Sequence, residues 1–192
     1  LAVHVSNHWR DAPHFWRDDV ICVNGYPTLD RRLAGQGFDP AHGAAWWREG
    51  LDALHAQYPD KPILVSEFGY PALEGSRGGA LSEDEQARAI QAELEGMEAP
   101  WVCGSTLWCW ADHAWPANVF TYLHGLAISP YGVITRDRRA KLALAGVRQA
   151  FSARQELVQR APAAPTAGAA GDALYMIRAS LEGIPDCPFP AG

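Results

Sequence analysis

The chain alternates continuous apolar runs with segments of helical periodicity, and this alternation restricts the fold more than any other feature. The runs within residues 19–26, 61–70 and 101–112 lack the regular polar alternation of a half-exposed strand, so each is predicted to be a strand buried on both faces. A shorter β-branched run opens the chain at residues 1–7. Strands separated by helices form a parallel sheet covered by helices, so the sequence predicts an α/β fold.

Three segments have the pattern of amphipathic helices. Asp39 and Pro40 mark the start of the first, as the N-cap and a first-turn residue. Ser82 and Glu85 fit a capping box at the start of the second. The buried faces are predicted to comprise Trp47, Leu51, Leu54 and Tyr58 in the first helix, Ile90, Leu94 and Met97 in the second, and Leu142, Val147 and Phe151 in the third.

Acidic and aromatic residues recur where the apolar runs end, as at Glu67 and within residues 108–112. The loops after the carboxyl ends of strands build the active site of a (β/α)8 barrel. A doubly wound sheet also binds ligands at its strand ends, but no GxGxxG motif follows any of these runs. We therefore expect a barrel-type sheet.

Composition excludes several classes of function. A formal net charge of -6 and a pI near 5.6 do not favour a nucleic-acid partner, and no apolar run is long enough to span a membrane. No Cys or His cluster has the spacing of a zinc site, so neither a metal nor another cofactor is expected. The cysteines are expected to be reduced and mostly buried, as in a cytoplasmic protein: Cys22, Cys103, Cys109 and Cys187.

The last part of the chain differs from the rest. Residues 161–173 are rich in Ala, with Pro and Gly, which is the composition of a linker. Residues 174–185 could form a short helix. We therefore divide the chain into an α/β domain at 1–160 and a Pro/Ala-rich tail at 161–192.

Glu67 is the strongest candidate for chemistry, because a carboxylate held at the end of a buried strand beside aromatic residues suits attack on a sugar carbon. Retaining glycosidases use two such acids, one as nucleophile and one as proton donor. The alternative is an acid that pairs with an arginine or caps a backbone amide. The eight tryptophans are compatible with sugar binding, since sugar rings stack on aromatic faces.

Four segments, at residues 19–26, 61–70, 104–112 and 132–141, together resemble the C-terminal half of the barrel domain of glycoside hydrolase family 2, the β-glucuronidase and β-galactosidase group. The resemblance implies strands five to eight of a TIM (β/α)8 barrel and a retaining exo-β-glycosidase. It also implies that Glu67 is the nucleophile.

The same resemblance suggests roles for five further residues. Tyr26 matches a tyrosine whose hydroxyl lies against the nucleophile and orients it, and Asn24 ends the same strand and would line the pocket. Trp108 matches the tryptophan on which the sugar rests, with ordinary core packing as the alternative. Asp112 would bind a sugar hydroxyl or brace its loop. His113 would lie at the rim of the pocket, followed by Trp115, Asn118 and His124.

The chain departs from the family in two places. Glucuronidases carry an Asn-x-Lys segment that binds the sugar carboxylate, but Ser129, Pro130 and Tyr131 stand here before Gly132. We therefore expect a neutral sugar, such as a galactosyl, mannosyl or arabinofuranosyl group, rather than a uronic acid.

The second departure is the proton donor, a Glu that follows Asn at the end of strand four in the family. No Asn-Glu pair occurs in this chain, so we expect a fragment that is inactive alone. Its partners would be the N-terminal half of the barrel, the family's β-sandwich domains, a carbohydrate substrate and a second copy in a homo-oligomer. The alternative is a non-catalytic module that binds carbohydrate or completes a barrel.

Overall fold

The computed structural model describes residues 2–11, 13–30, 39–114 and 128–160. Strands β1 (Val3–Ser6) and β2 (Val20–Asn24) come first, followed by α1 (Pro40–Gln57) and β3 (Ile63–Phe68). Next come α2 (Glu83–Gly96) and β4 (Val102–Leu107). Two short strands, β5 (His113–Ala114) and β6 (Ile128–Ser129), precede α3 (Ala143–Arg160).

The four longer strands form one parallel sheet in the order β1-β2-β3-β4. Its register aligns Ile21 of β2 with Ile63 of β3, and Ile63 with Val102 of β4. All five residues of β2 are buried, as expected for a central strand covered on both faces. The predicted α/β architecture with a parallel sheet is therefore confirmed, and the assignment of these strands to half of a (β/α)8 barrel stays a prediction.

The predicted helix faces are largely confirmed. The aromatic and aliphatic residues predicted for α1 and α2 are buried, apart from Tyr58, which is half-buried at the end of α1. Leu142 is wrong as a buried residue, because it precedes α3 and is 42% exposed. Val147 is buried and Phe151 half-buried.

Side-chain caps begin the first two helices. The Asp39 carboxylate accepts a hydrogen bond from the Ala41 amide (2.9 Å), and the Ser82 hydroxyl accepts one from the Glu85 amide (3.1 Å). The Glu85 carboxylate accepts from the Leu81 amide (3.1 Å) and the Tyr70 hydroxyl (2.9 Å). This side chain therefore also ties the start of α2 to the segment after β3.

The two edges of the described sheet are less covered than its centre. Val3 and Val5 of β1 are 42% and 53% exposed, and β4 contains only half-buried and exposed residues. Cys103 on β4 is exposed, so its predicted burial is wrong. The predicted strand at 101–112 is also shorter, since β4 ends at Leu107.

Residues Leu1–Gln155 form one compact unit and Glu156–Gly192 a second. The predicted linker and short helix of the tail lie outside the described residues. Across the described ranges, no helix combines the length and apolar character needed to cross a bilayer.

Candidate active site

The carboxyl ends of β2, β3 and β4 bring three of the predicted site residues to one edge of the sheet. Asn24 and Glu67 are register partners, and the Gly25 amide donates to the Glu67 carbonyl (2.9 Å). The Trp108 amide donates to the Phe68 carbonyl (2.8 Å). Main-chain pairing therefore places Asn24, Glu67 and Trp108 in neighbouring positions.

The Glu67 side chain is half-buried and accepts a hydrogen bond from the Tyr26 hydroxyl (2.8 Å). Burial first, and then this hydrogen bond, raise the pKa of Tyr26 well above its usual value. The phenol therefore stays protonated at every physiological pH and can donate to an ionised Glu67 carboxylate, which it also orients.

Asn24 is buried beside this pair and held by two contacts. Its side-chain oxygen accepts from the Ser66 hydroxyl (2.7 Å), and its backbone carbonyl accepts from the Trp9 indole N–H (2.9 Å). The carboxamide thus has a fixed orientation at the strand end.

Trp108 and His113 are half-buried and meet edge to face, with ring centroids 5.9 Å apart at 83°. The Nδ1 of His113 lies 3.2 Å from the Ala111 carbonyl oxygen. His113 also pairs with Ser129 across β5 and β6. The histidine therefore adjoins Trp108, and substrate roles for both residues stay predictions.

Asp112 is buried, and its contacts are those of a brace. One carboxylate oxygen accepts from the Gly132 amide (2.9 Å) and from the Lys141 ammonium (2.8 Å). Lys141 is itself buried and donates to the Ala72 carbonyl (2.7 Å). Burial raises the pKa of Asp112, while Lys141 lowers it. Of the two roles left open by the sequence, these contacts favour bracing, and the binding of a sugar hydroxyl stays a prediction.

Two aromatic residues at this edge were not predicted as site residues. Tyr131 is buried and meets Tyr26 edge to face, with centroids 5.6 Å apart at 83°. Trp110 is 61% exposed two positions after Trp108. In the sequence Tyr131 stands out only as a departure from a family motif, because nothing in its spacing reveals a contact with a residue 105 positions earlier.

Other ionisable groups nearby do not suggest different chemistry. Burial raises the pKa of the Cys109 thiol to about 11, so it is not a thiolate nucleophile at neutral pH. Nowhere in the described segments do three His, Cys, Asp or Glu side chains form a group that could hold a metal ion.

The buried glutamates of α2 have structural partners. Glu83 accepts from Arg139 (2.7 Å), Glu85 from Tyr70, and Glu93 from the Trp47 indole N–H (3.1 Å). These contacts do not suit a proton donor that must face a substrate. The predicted rim residues Trp115, Asn118 and His124 lie outside the described residues.

Comparison with known proteins relates this fold to glycoside hydrolases. No protein-family model matches the chain, and no curated protein sequence matches it. Solved structures do match. A β-glucuronidase from Faecalibacterium prausnitzii aligns over 87% of this chain with a TM-score of 0.64 and 23% identity. A GH2 β-galacturonidase from Eisenbergiella tayi, bound to galacturonate, aligns over 79% with a TM-score of 0.64 and 20% identity.

A third match is a Bifidobacterium dentium β-glucuronidase complexed with coumarin-3-O-glucuronide, at TM-score 0.60, 25% identity and 78% of this chain. This chain covers 25%, 26% and 23% of the three matched chains in turn, about a quarter of their length. The fold of the described residues is therefore that of a part of these hydrolase structures.

Proposed function

We propose that this chain is the nucleophile-bearing part of a retaining exo-β-glycosidase of the family 2 type, with Glu67 as the nucleophile. The observation that carries the proposal is the pair formed by the Glu67 carboxylate and the Tyr26 hydroxyl at the carboxyl edge of a parallel sheet. The likeness to GH2 structures supports the choice of family.

In this mechanism a Glu67 oxygen forms a bond to the anomeric carbon of the terminal sugar. The bond from that carbon to the leaving oxygen breaks, and the leaving oxygen takes its electron pair and needs a proton. Water then hydrolyses the glycosyl ester and frees Glu67. Tyr26 keeps the attacking carboxylate oriented in the first step, and Trp108 offers an aromatic face to the sugar.

A second carboxyl group must supply the proton, and we propose that it comes from outside these 192 residues. General acid catalysis is typically worth about 10²- to 10⁴-fold, so natural substrates should react very slowly with this chain alone. Substrates with a strongly acidic leaving group avoid this requirement, because the leaving anion is stable without a proton.

We propose a neutral terminal sugar as the substrate. Tyr131, an uncharged aromatic residue, packs against Tyr26, and the neighbouring Lys141 ammonium is buried and paired with Asp112. One of the matched structures binds galacturonate and another binds coumarin-3-O-glucuronide. A uronic acid is therefore the competing substrate class, and the assay must include it.

The exposed edges of the sheet support the further proposal that additional strands complete it. Val3 and Val5 on β1 leave apolar surface exposed. Among the described strands, β1 pairs on one side only, and an unpaired edge is an unusual end for a parallel sheet. The added strands would bring the proton donor. A module that completes a barrel without catalysis is the alternative, and it predicts no reaction at Glu67.

Covalent labelling tests the proposal. The 192-residue chain, and any longer product that its gene encodes, are incubated with 2,4-dinitrophenyl 2-deoxy-2-fluoroglycosides of galactose, mannose, arabinofuranose and glucuronic acid. We expect one fluoroglycosyl group on the peptide containing Glu67, detected by mass spectrometry, and faster labelling with a neutral sugar than with the glucuronide.

Two variants make the result specific. Glu67→Gln should abolish labelling, while Glu49→Gln, an exposed glutamate on α1, should label like the wild type. Labelling of Glu67→Gln at an unchanged rate, or no labelling of the wild type in any form tested, contradicts the proposal. Faster labelling by the glucuronide contradicts only the choice of a neutral sugar.

A further inference from the structure

We propose that Tyr131 is a positioning residue for the nucleophile, which it holds indirectly by fixing the ring of Tyr26. This inference rests on the proposed function, since it assigns Tyr131 a part in the same reaction. Tyr131 would not touch the sugar or the reacting atoms.

Two observations place the Tyr131 ring beside the Tyr26–Glu67 pair. The two tyrosine rings meet edge to face at 5.6 Å and 83°, a geometry in which the positive ring edge meets the negative ring face. A Cβ built on Gly69, two residues after Glu67, would lie 3.6 Å from Cδ1 of Tyr131. Tyr131 therefore contacts the residue that orients Glu67 and lies close to the segment that follows β3.

The main chain of Tyr131 is held as firmly as its ring. Its carbonyl accepts from the Cys109 amide (3.2 Å), in the segment that follows β4. The next residue, Gly132, donates from its amide to the buried Asp112 carboxylate, which Lys141 also binds. The side chain of Tyr131 is only 1% exposed. The brace formed by Asp112 and Lys141 is thus connected through Tyr131 to Tyr26.

This arrangement matters because Tyr26 reaches Glu67 with a single rotatable hydroxyl at the tip of a half-buried ring. A ring free to swing would lose the 2.8 Å contact for part of the time. The carboxylate would then be less well oriented for attack, and its ionised form would lose a donor. A packed ring behind Tyr26 prevents that motion without adding a charge to the pocket.

The test compares Tyr131→Leu, Tyr131→Phe and Tyr26→Phe, using the rate of labelling of Glu67 by the best fluoroglycoside between pH 4 and 9. Tyr131→Leu removes the ring, and we expect labelling to slow by about 10- to 100-fold, the usual cost of a misplaced reacting group. The pH at which the labelling rate is half-maximal should rise in Tyr131→Leu, as it should in Tyr26→Phe. Tyr131→Phe retains the ring, so it should keep most of the wild-type labelling rate and the wild-type pH midpoint.

The double variant Tyr26→Phe/Tyr131→Leu separates positioning from a general structural role. If Tyr131 acts through Tyr26, the double variant is about as slow as Tyr26→Phe alone, so the two effects are strongly non-additive. Tyr58→Leu is the matched control, because Tyr58 makes a similar edge-to-face contact with Phe15 before β3 begins. It should lower thermal stability and leave the pH midpoint unchanged.

Each outcome decides a different question. Labelling of Glu67 with unchanged rate and pH midpoint in Tyr131→Leu overturns this inference and leaves the proposed function intact. Additive effects in the double variant also overturn it. If Tyr131→Leu does not fold, Tyr131→Met takes its place, since an unbranched thioether side chain fills irregular space. Failure of wild-type labelling refutes the proposed function, and this inference with it.

Discussion

Two carboxyl groups of this chain, Glu67 and Glu93, each accept one hydrogen bond from an aromatic side chain, yet they lie in opposite environments. Glu67 is half-buried at the carboxyl end of β3 and accepts from the Tyr26 hydroxyl. Glu93 is 2% exposed on α2 and accepts from the Trp47 indole of α1. Both carboxyl groups thus have an aromatic hydrogen-bond donor, and they differ in their exposure to solvent.

The difference explains why we assign chemistry to one group and not to the other. Burial raises the pKa of Glu93 to about 8, against a partial opposing effect of the Trp47 N–H, so this side chain is largely a neutral acid at pH 7. A perturbed pKa is often taken as a sign of an active site. Here it marks a packed helix interface, and the strand end with an accessible carboxylate is the better candidate.

The largest effect should come from the pH dependence of stability at Glu93. Its pKa in the folded state is raised above the unfolded value, so the folded state holds the proton more tightly. The associated stability is complete below about pH 4.5 and is lost as pH rises to about 8. The loss should reach about 3 to 5 kcal/mol, from the size of the shift.

Glu93→Gln should remove that loss, so the difference in unfolding free energy between variant and wild type should grow in favour of the variant from pH 5 to pH 8.5. Chemical denaturation across this range measures it. Glu95→Gln, an exposed residue on the same helix, should show no such trend. If the unfolding free energies of Glu93→Gln and the wild type changed equally with pH, the proposed difference between Glu93 and Glu67 would be wrong.

An effect of similar size is expected at Asp112, which is buried like Glu93. Asp112→Ala leaves the Lys141 ammonium buried without its carboxylate, and breaking such a pair costs about 3 to 5 kcal/mol. Asp112→Leu combined with Lys141→Met should cost much less, because no charge is then left unpaired. Urea unfolding measures both, with the exposed Asp52→Ala as control.

A loss of less than about 1 kcal/mol for Asp112→Ala, well below the cost of a broken buried ion pair, would contradict the bracing role. Slower labelling of Glu67 with little change in stability would instead support the sugar-hydroxyl role that the sequence left open.

The smallest effect should come from Ser66→Ala at the open strand end. The variant removes the donor to the Asn24 side chain, which should lower stability by about 0.5 to 1.5 kcal/mol and slow labelling slightly. Ser105→Ala on β4 is the matched control, because the buried Ser105 hydroxyl has no hydrogen-bond partner among the described residues. It should be neutral or slightly stabilising. Equal losses in the two variants would show that the Ser66–Asn24 hydrogen bond contributes nothing specific.

Local signals in the sequence were sufficient to predict most of the helices and strands. Asp39 and Ser82 have the side-chain chemistry of N-caps, and both accept the expected amide hydrogen bonds. Continuous apolar runs gave the buried β2 and the strand that ends beside Glu67. The errors, at Cys103 and Leu142, fall on an edge strand and just before a helix, where neighbouring elements decide which side is covered.

The candidate site was only partly predictable. Asn24 and Glu67 could be expected to meet, because the carboxyl ends of adjacent parallel strands lie at one edge. The packing of Tyr131 on Tyr26 and the pairing of Lys141 with Asp112 could not, since both join side chains far apart in sequence.

The sequence by itself determined the α/β order of elements, the helix starts, and the position of Glu67 at the end of a buried strand, because propensity, capping and apolar periodicity act over a few neighbouring residues. Only the tertiary structure decided which carboxyl groups are open and which are enclosed. Glu67, Asp112 and Glu93 look alike in the chain. Their surroundings differ because packing between distant segments sets the solvent exposure and partners of each group, and these determine its charge and chemistry.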